Sequence, residues 1–172
     1  LNRVKIIEKK SDLYLIFAPI KRDKTENIIQ KATELGVSKI FPVLTERTII
    51  RSLNIKRLSA IAKESSEQSD RISIPEIMEI NSLLSVIDHW NNDRILFYAD
   101  ENMKTKFDLK IKYAGMKKKG AVLIGPEGGF SKYEVNLLKS KKFVMPISLG
   151  ERILRSETAV VVGLTFWHLL NS

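Results

Sequence analysis

Ala121-Val122-Leu123-Ile124-Gly125-Pro126-Glu127-Gly128-Gly129-Phe130-Ser131 is the stretch on which the reading of this chain turns. A short apolar run breaks abruptly into a glycine-rich turn, and Ser131-Lys132-Tyr133-Glu134 then has the S-x-x-E spacing that caps a helix start. The segment reads as strand, loop, helix. Gly125, Gly128 and Gly129 lack a Cβ, so the loop can adopt positive φ and bring backbone N–H groups against a ligand. Glu127 is the only charge on it. No Gly-Lys-Ser/Thr follows and the dinucleotide spacing is missing, which disfavours phosphate cradling. A tight turn with no ligand accounts for the loop equally well.

Upstream, Leu13 to Ala18 is nearly all apolar, as expected of a strand covered on both faces, and Pro19 ends it. The polar Lys21-Arg22-Asp23-Lys24-Thr25 leads into a helix with Ile28, Ala32 and Leu35 on one face, stopped by Gly36. Lys39 to Leu44 is a second strand. Strand, helix, strand with short joins indicates a right-handed βαβ unit and a parallel sheet. A helix from about Asn54 to Ser69, a short strand at Pro75 to Ile80, a helix at Ser82 to Trp90 and a strand at Arg94 to Ala99 follow. Arg3 to Ile7 alternates like a strand. Residues 104–119 carry seven lysines and read as loop or frayed helix, either a phosphate-contacting arm or a solvated surface.

Beyond the glycine loop come a helix from Lys132 to about Lys141 and a last strand at Phe143 to Ser148. Pro146 fits a strand only where its missing N–H faces away from the ladder. The loop from Leu149 leads to a final helix running to Leu170, apolar nearly all round, which must be buried in the core or against a second subunit. One α/β domain results, with ligands expected beyond the C-terminal ends of the strands, where the glycine loop and the Ser148–Ser156 loop lie.

At 172 residues, 44% hydrophobic and 28% charged, the composition is that of a globular domain rather than a disordered or fibrous chain. There is no cysteine, which removes disulfides, thiol nucleophiles and zinc–thiolate sites. No apolar stretch approaches a membrane span, and the default expectation is a cytoplasmic protein without membrane partners. A net charge of +9 favours polyanions, although Lys/Ile-rich composition by itself raises basicity. His89 and His168 each adjoin a tryptophan near a helix end, where core filling or dipole contact explains them, and no metal site is indicated.

Lys31 to Val37, Glu46-Arg47-Thr48, Glu67 to Arg71, Ile124 to Phe130 and Leu149 to Ala159 occur in an order that resembles the RsmE-type 16S ribosomal RNA (uracil-N3)-methyltransferases of the SPOUT superfamily. The resemblance runs from about residue 13 to the end. The pairing of Gly-Pro-Glu-Gly-Gly-Phe with Leu-Gly-x-Arg-Ile-Leu-Arg-x-Glu-Thr-Ala is highly specific. It implies a parallel-sheet α/β domain at 11–172 with a C-terminal deep trefoil knot, a feature that the periodicity does not indicate. Residues 1–10 would be the remnant of an absent N-terminal β-barrel RNA-binding domain. Departures from the family pattern are Ser65-Ser66 in place of alanines and Asp70 where glycine is common.

The resemblance further implies S-adenosyl-L-methionine held among three loops, with Tyr98, Ile124, Gly125, Gly128, Gly129, Ile147, Leu149, Gly150, Ile153 and Leu154 as the cofactor-binding residues. The implied acceptor is N3 of a uridine in 16S ribosomal RNA, free or in the small ribosomal subunit, and the chain would work as a homodimer through its last helix. Methyl transfer to N3 is an in-line displacement that needs positioning and a base for the imide proton. Glu127 and Glu157 are the candidate bases. Arg155, with Arg152 second, is the candidate to stabilise charge on the uracil carbonyls or to orient the target phosphate. Ser156-Glu157 is equally explained as helix capping. Lys21, Arg22, Arg47, Arg71 and Arg152 are the candidate RNA contacts, with Arg51 beside them and with Arg71 also open to a structural ion pair. The competing expectations are ribose 2′-O-methylation by another SPOUT branch and a catalytically silent RNA-binding or ribosome-assembly module.

Overall fold

The structure is a computed structural model and describes residues 12–101, 103 and 119–171. The expected strand at Arg3 to Ile7, the barrel remnant at 1–10 and residues 104–118 of the lysine-rich stretch lie outside the described residues.

Seven parallel strands form one sheet: β1 (Leu13–Phe17), β2 (Lys39–Leu44), β3 (Glu76–Ile77), β4 (Asn81–Ser82), β5 (Ile95–Ala99), β6 (Gly120–Ile124) and β7 (Val144–Ile147). The order is β3-β2-β1-β6-β5-β7, with β4 also on β2. Among the described residues the helices are α1 (Arg22–Glu34), α2 (Ile55–Gln68), α3 (Leu83–Asp88), α4 (Lys132–Ser140) and α5 (Ser156–Asn171). Of the strand expected at Pro75 to Ile80 only β3 forms, and a second two-residue strand, β4, lies just beyond it; both pair with β2. No helix among the described residues is long and apolar enough to cross a membrane.

Alternation along the central strands decides the layers. Leu15, Phe17, Val122 and Ile124 point to one face, where α1, α2 and α5 cover them, and Ile16, Ala121 and Leu123 point to the other, under α3 and α4. Both faces are filled, which is why β6 is buried along its whole length. Pro146 sits in β7, an edge strand bonded only to β5, so its missing N–H removes no ladder bond. The final helix packs mainly into its own domain: Val160, Leu164, Phe166 and Trp167 are buried, and Leu169 remains 70% exposed.

Small residues allow the closest approaches. A Cβ on Gly163 of α5 would lie 2.8 Å from Val122, and one on Gly120 would strike the Trp167 indole. Asp70 has φ of 56°, a left-handed conformation that Asp tolerates better than most residues. Ser65 and Ser66 return their hydroxyls to the carbonyls of Ile61 and Ala62, so they pack within the helix without stranding a polar group.

At the β1–β6 seam the strand order reverses. The helix after β1 lies on one face and the helix after β6 on the other, which leaves a crevice at the strand C-termini.

Candidate functional site

The loops after β5, β6 and β7 converge at that crevice around a cavity of about 490 Å³. This lies within the usual range for a small-molecule site. Its walls are Ile124, Phe130, Val135, Leu149, Leu154 and Ala159 together with the backbone of Gly125, Gly129 and Gly150. Gly150 has φ of 122° and nothing within 4 Å of where a Cβ would stand, so a side chain there would be strained and would project into open space. Gly129, at φ of 68°, closes a turn by donating its N–H to the Pro126 carbonyl at 2.8 Å. A Cβ on Gly129 would lie 2.9 Å from Glu101 Oε1. An apolar wall faced by glycine backbone fits a ligand bearing a flat heterocycle, and nucleoside-type cofactors belong to that class.

The loop's exit is fixed by a buried carboxylate. Ser131 and Glu134 form a capping box: Ser131 N–H donates to Glu134 Oε2 at 2.8 Å, and Glu134 N–H donates to Ser131 Oγ at 3.2 Å. Glu134 Oε1 also accepts the Glu46 N–H at 2.8 Å, so the turn after β2 is tied to the helix after β6. Arg47, in the same turn, donates to the Gly128 carbonyl at 2.6 Å. On the other side, Ser156 Oγ donates to the Gly125 carbonyl at 3.4 Å and joins the start of α5 to the loop.

Of the residues expected to hold a cofactor, Tyr98, Ile124, Gly125, Gly129, Leu149, Gly150, Ile153 and Leu154 all line the cavity. Gly128 and Ile147 do not: Gly128 turns its carbonyl to Arg47, and Ile147 is buried in the core below. Tyr98 lines it from a buried ring whose hydroxyl donates to Asp100 Oδ2 at 2.7 Å, and burial pushes that phenol well above its ordinary pKa.

Glu127, Arg152, Arg155 and Lys24 line the cavity, and Lys24 Nζ donates to Glu127 Oε1 at 2.9 Å. The hydrogen bond from Lys24 holds the Glu127 carboxyl below the usual carboxylate range, helped by the positive charges of Lys24, Lys21 and Arg155. The same bond raises Lys24, with a smaller contribution from the charge of Glu157. Glu157 does not line the cavity, and its Oε2 is buried without a hydrogen-bond partner among the described residues. That atom is an acceptor left open.

Candidate RNA contacts divide. Lys21 and Arg22 begin α1, beside Lys24, and Arg22 pairs with Glu26 at 3.0 Å. Arg47 is exposed while it holds Gly128. Arg71 is partly buried and donates to the carbonyls of Thr33 and Val37 and to Ser73 Oγ, which makes it a brace between α1 and the segment after α2. The two histidines serve as structural contacts: His89 Nδ1 lies 2.9 Å from the Ser85 carbonyl and His168 Nε2 lies 2.7 Å from that of Leu35.

Lys24 was readable in the sequence only through topology. It follows β1, the neighbour of β6, and so belongs to the same sheet edge as the glycine loop. The acidic pair Asp100-Glu101, which also lines the cavity, carries the same signal, directly after β5.

A cavity walled by glycine backbone and lined also by cations suits a nucleoside-type ligand, and comparison with known proteins gives the family. Residues 8–168 match the RNA methyltransferase domain family. The chain belongs to that family. It is 38% identical over 164 residues to ribosomal RNA small subunit methyltransferase E of Rickettsia conorii, covering 95% of this chain and 66% of that protein. A ribosomal RNA small subunit methyltransferase E from Neisseria gonorrhoeae, solved bound to S-adenosyl methionine, superposes with a TM-score of 0.83 at 27% identity over 92% of this chain and 66% of that one. A putative methyltransferase from Legionella pneumophila, solved with the bound cofactor SAM, gives a TM-score of 0.81 at 30% identity, covering 93% and 66%. The chain thus spans just under two thirds of these methyltransferases.

Proposed function

We propose that this chain transfers a methyl group from S-adenosylmethionine to N3 of a uridine in 16S ribosomal RNA. The observation that carries the reading is the single cavity in which Gly125, Gly129 and Gly150 offer backbone beside an apolar wall while Arg155 and Glu127 stand at the rim. Relatives of the same family carry small-subunit methyltransferase names and two neighbours bind S-adenosylmethionine, which supports the methyl donor and the small-subunit RNA as acceptor.

Leu149, Leu154, Ile124 and Phe130 would enclose the adenine, and the amides of the glycine turns would take its polar edge. When bound, S-adenosylmethionine supplies an electrophilic methyl on a sulfonium. The chain's own groups then have three tasks. The loops exclude water and align the acceptor nitrogen with the methyl, an arrangement whose effect on the barrier is about 7–11 kcal/mol in well-oriented intramolecular systems. A carboxylate accepts the N3 proton, a role that contributes about 10²–10⁴-fold in rate. Of the two candidates, Glu127 lines the cavity and Glu157 does not, though one of its oxygens has no partner among the described residues. Arg155 faces the charge that spreads onto the uracil oxygens, and Arg152, Lys21, Arg22 and Arg47 meet the RNA backbone.

The domain is read as a SPOUT fold with its C-terminal segment threaded as a trefoil knot. The exposed Leu169 of α5 and the exposed Ile153 of the last loop would meet a second copy in a homodimer. Calorimetric titration with S-adenosylmethionine, followed by nucleoside mapping of unmodified 16S RNA incubated with both, tests the reading. It requires binding and 3-methyluridine as product. A 2′-O-methyl nucleoside selects the ribose-methylating branch, and absence of binding selects a silent RNA module. An Arg155→Ala variant that keeps cofactor affinity and full turnover removes the role given to Arg155.

A further inference from the structure

The pair formed by Lys24 and Glu127 spans the seam where the strand order reverses. Lys24 comes from the first turn of α1 and Glu127 from the loop after β6, more than a hundred residues later, yet their charged atoms meet at 2.9 Å over the cavity. Neither the sheet nor the helix needs this contact. The Lys24 side chain retains 25% exposure and Glu127 retains 55%, and an ion pair between groups so open contributes little to the fold. Arg155 lines the same cavity from the loop that precedes α5. Among the charged groups that line the cavity, with Asp100, Glu101, Glu151 and Arg152, are therefore an ammonium, a carboxylate and a guanidinium close to its apolar, glycine-bearing wall.

We infer that Lys24, Glu127 and Arg155 read the imide edge of the acceptor base, with Lys24 as the residue that selects uracil and holds the charge released when N3 loses its proton. The inference rests on the uridine-methylating reading above. The imide edge of uracil runs carbonyl, N–H, carbonyl, an acceptor, donor, acceptor sequence. Two cationic donors flanking one carboxylate are its complement. Cytosine offers an amino group in place of one carbonyl and no proton on N3, so it leaves one donor facing another and the carboxylate without its partner, an arrangement that polar sites reject strongly.

The proton step balances within these groups. The N3–H bond breaks and its proton passes to a Glu127 oxygen. The electron pair stays on the base, delocalised over N3 and both carbonyl oxygens; as N3 bonds to the methyl carbon the methyl–sulfur bond would break, its electron pair returning to sulfur, which leaves as a neutral thioether. Glu127 becomes neutral as it takes the proton and loosens its hold on Lys24, so the ammonium can turn to the oxygen that has just gained charge. Removing Lys24 would return Glu127 toward its ordinary basicity and on that ground alone would speed deprotonation. A fall in turnover therefore isolates the work of the ammonium on the base.

The test compares the intact chain with Lys24→Met and Lys24→Arg. Circular dichroism and thermal unfolding establish that each variant is folded, calorimetry with S-adenosylhomocysteine measures the cofactor site, and nucleoside mass spectrometry follows 3-methyluridine formed on unmodified 16S RNA across pH. Lys24→Met is expected to keep S-adenosylhomocysteine affinity within about twofold and to lose roughly 10- to 100-fold in turnover near neutral pH, the scale of one charge-assisted hydrogen bond. The deficit is expected to shrink as the pH rises and uracil ionises unaided, and Lys24→Arg to restore part of the rate. Unchanged or faster turnover in Lys24→Met overturns the inference and leaves the uridine-methylating reading intact. A loss of S-adenosylhomocysteine affinity that matches the loss of rate also overturns it, because the ammonium would then be holding the cofactor's amino-acid end. An unaltered chain that forms no 3-methyluridine overturns the reading itself.

Discussion

Replacing Glu134 by alanine removes the carboxylate that holds the exit of the glycine loop. Glu134 is only 2% exposed, and its two oxygens accept the N–H groups of Ser131 and Glu46. The Ser131 donor is buried, and stranding such a group costs about 1–3 kcal/mol. The Glu46 donor sits at an exposed turn that water can reach, which places its loss near the lower end of that range. Deleting a buried methylene adds about 0.8 kcal/mol. The expected loss is about 3 kcal/mol, a large share of the roughly 5–15 kcal/mol that stabilises a typical domain. Urea unfolding at neutral pH measures it as a drop in midpoint with unchanged slope. Glu134→Gln keeps one acceptor oxygen and is expected to recover no more than half of the loss. Because the same carboxylate ties the Arg47 turn to the loop, S-adenosylmethionine affinity should weaken at temperatures where both variants are still folded. A Glu134→Ala loss below about 1 kcal/mol would refute the claim that this carboxylate, rather than the surrounding apolar contacts, fixes the loop.

Gly150→Ala puts a methyl into the open side of the cavity on a backbone with φ of 122°; it is expected to weaken S-adenosylmethionine at least tenfold by calorimetry, and unchanged affinity would remove Gly150 from the cofactor wall. Arg57 and then Arg22 hold the Glu26 carboxyl at about 2, below its ordinary 4.5. A depressed folded-state pKa contributes stability fully present above the ordinary value and lost as the pH falls toward 2, so the urea midpoint should drop across that window, and less so in Glu26→Gln. Arg71→Ala should destabilise by about 1–3 kcal/mol through the stranded carbonyls of Thr33 and Val37 while leaving the salt dependence of RNA binding unchanged. Arg47→Ala should instead lower the slope of log affinity against log salt by about one, as measured by filter binding across a salt series.

The sheet was legible because its central strands are covered on both faces and their apolar runs end at glycine or proline, as at Phe17-Ala18-Pro19 and Ile124-Gly125-Pro126. The Ser131–Glu134 capping box was legible from spacing alone. β3 and β4 were not, because two paired residues on a sheet margin leave no periodicity to read, and their identity comes from the exposed backbone of β2. In the site, the glycines announced a backbone-lined turn, and eight of the ten expected cofactor residues do line one cavity. Gly128 could not be told from its neighbours because what turns it away is the Arg47 guanidinium, supplied from 81 positions earlier in the chain. Arg71 read as an RNA contact or a structural ion pair, and its bracing role was hidden for a similar reason: the carbonyls it serves belong to the end of α1 and the turn after it. Lys24 lay in a polar helix leader whose composition says nothing about its partner, and only the order of strands brings it to Glu127.

That strand order also has a bearing on how the protein is made. β1 is paired on one side by β2, soon after it in the chain, but its other edge is completed only by β6. At a synthesis rate of 5–20 residues per second, the gap between Phe17 and Gly120 leaves that edge bare on the ribosome for roughly 5–20 seconds. A long-lived unsatisfied edge beside fully apolar faces is a template for association with other nascent chains. Early chaperone engagement, rather than any weakness of the finished molecule, should therefore govern the yield of soluble protein.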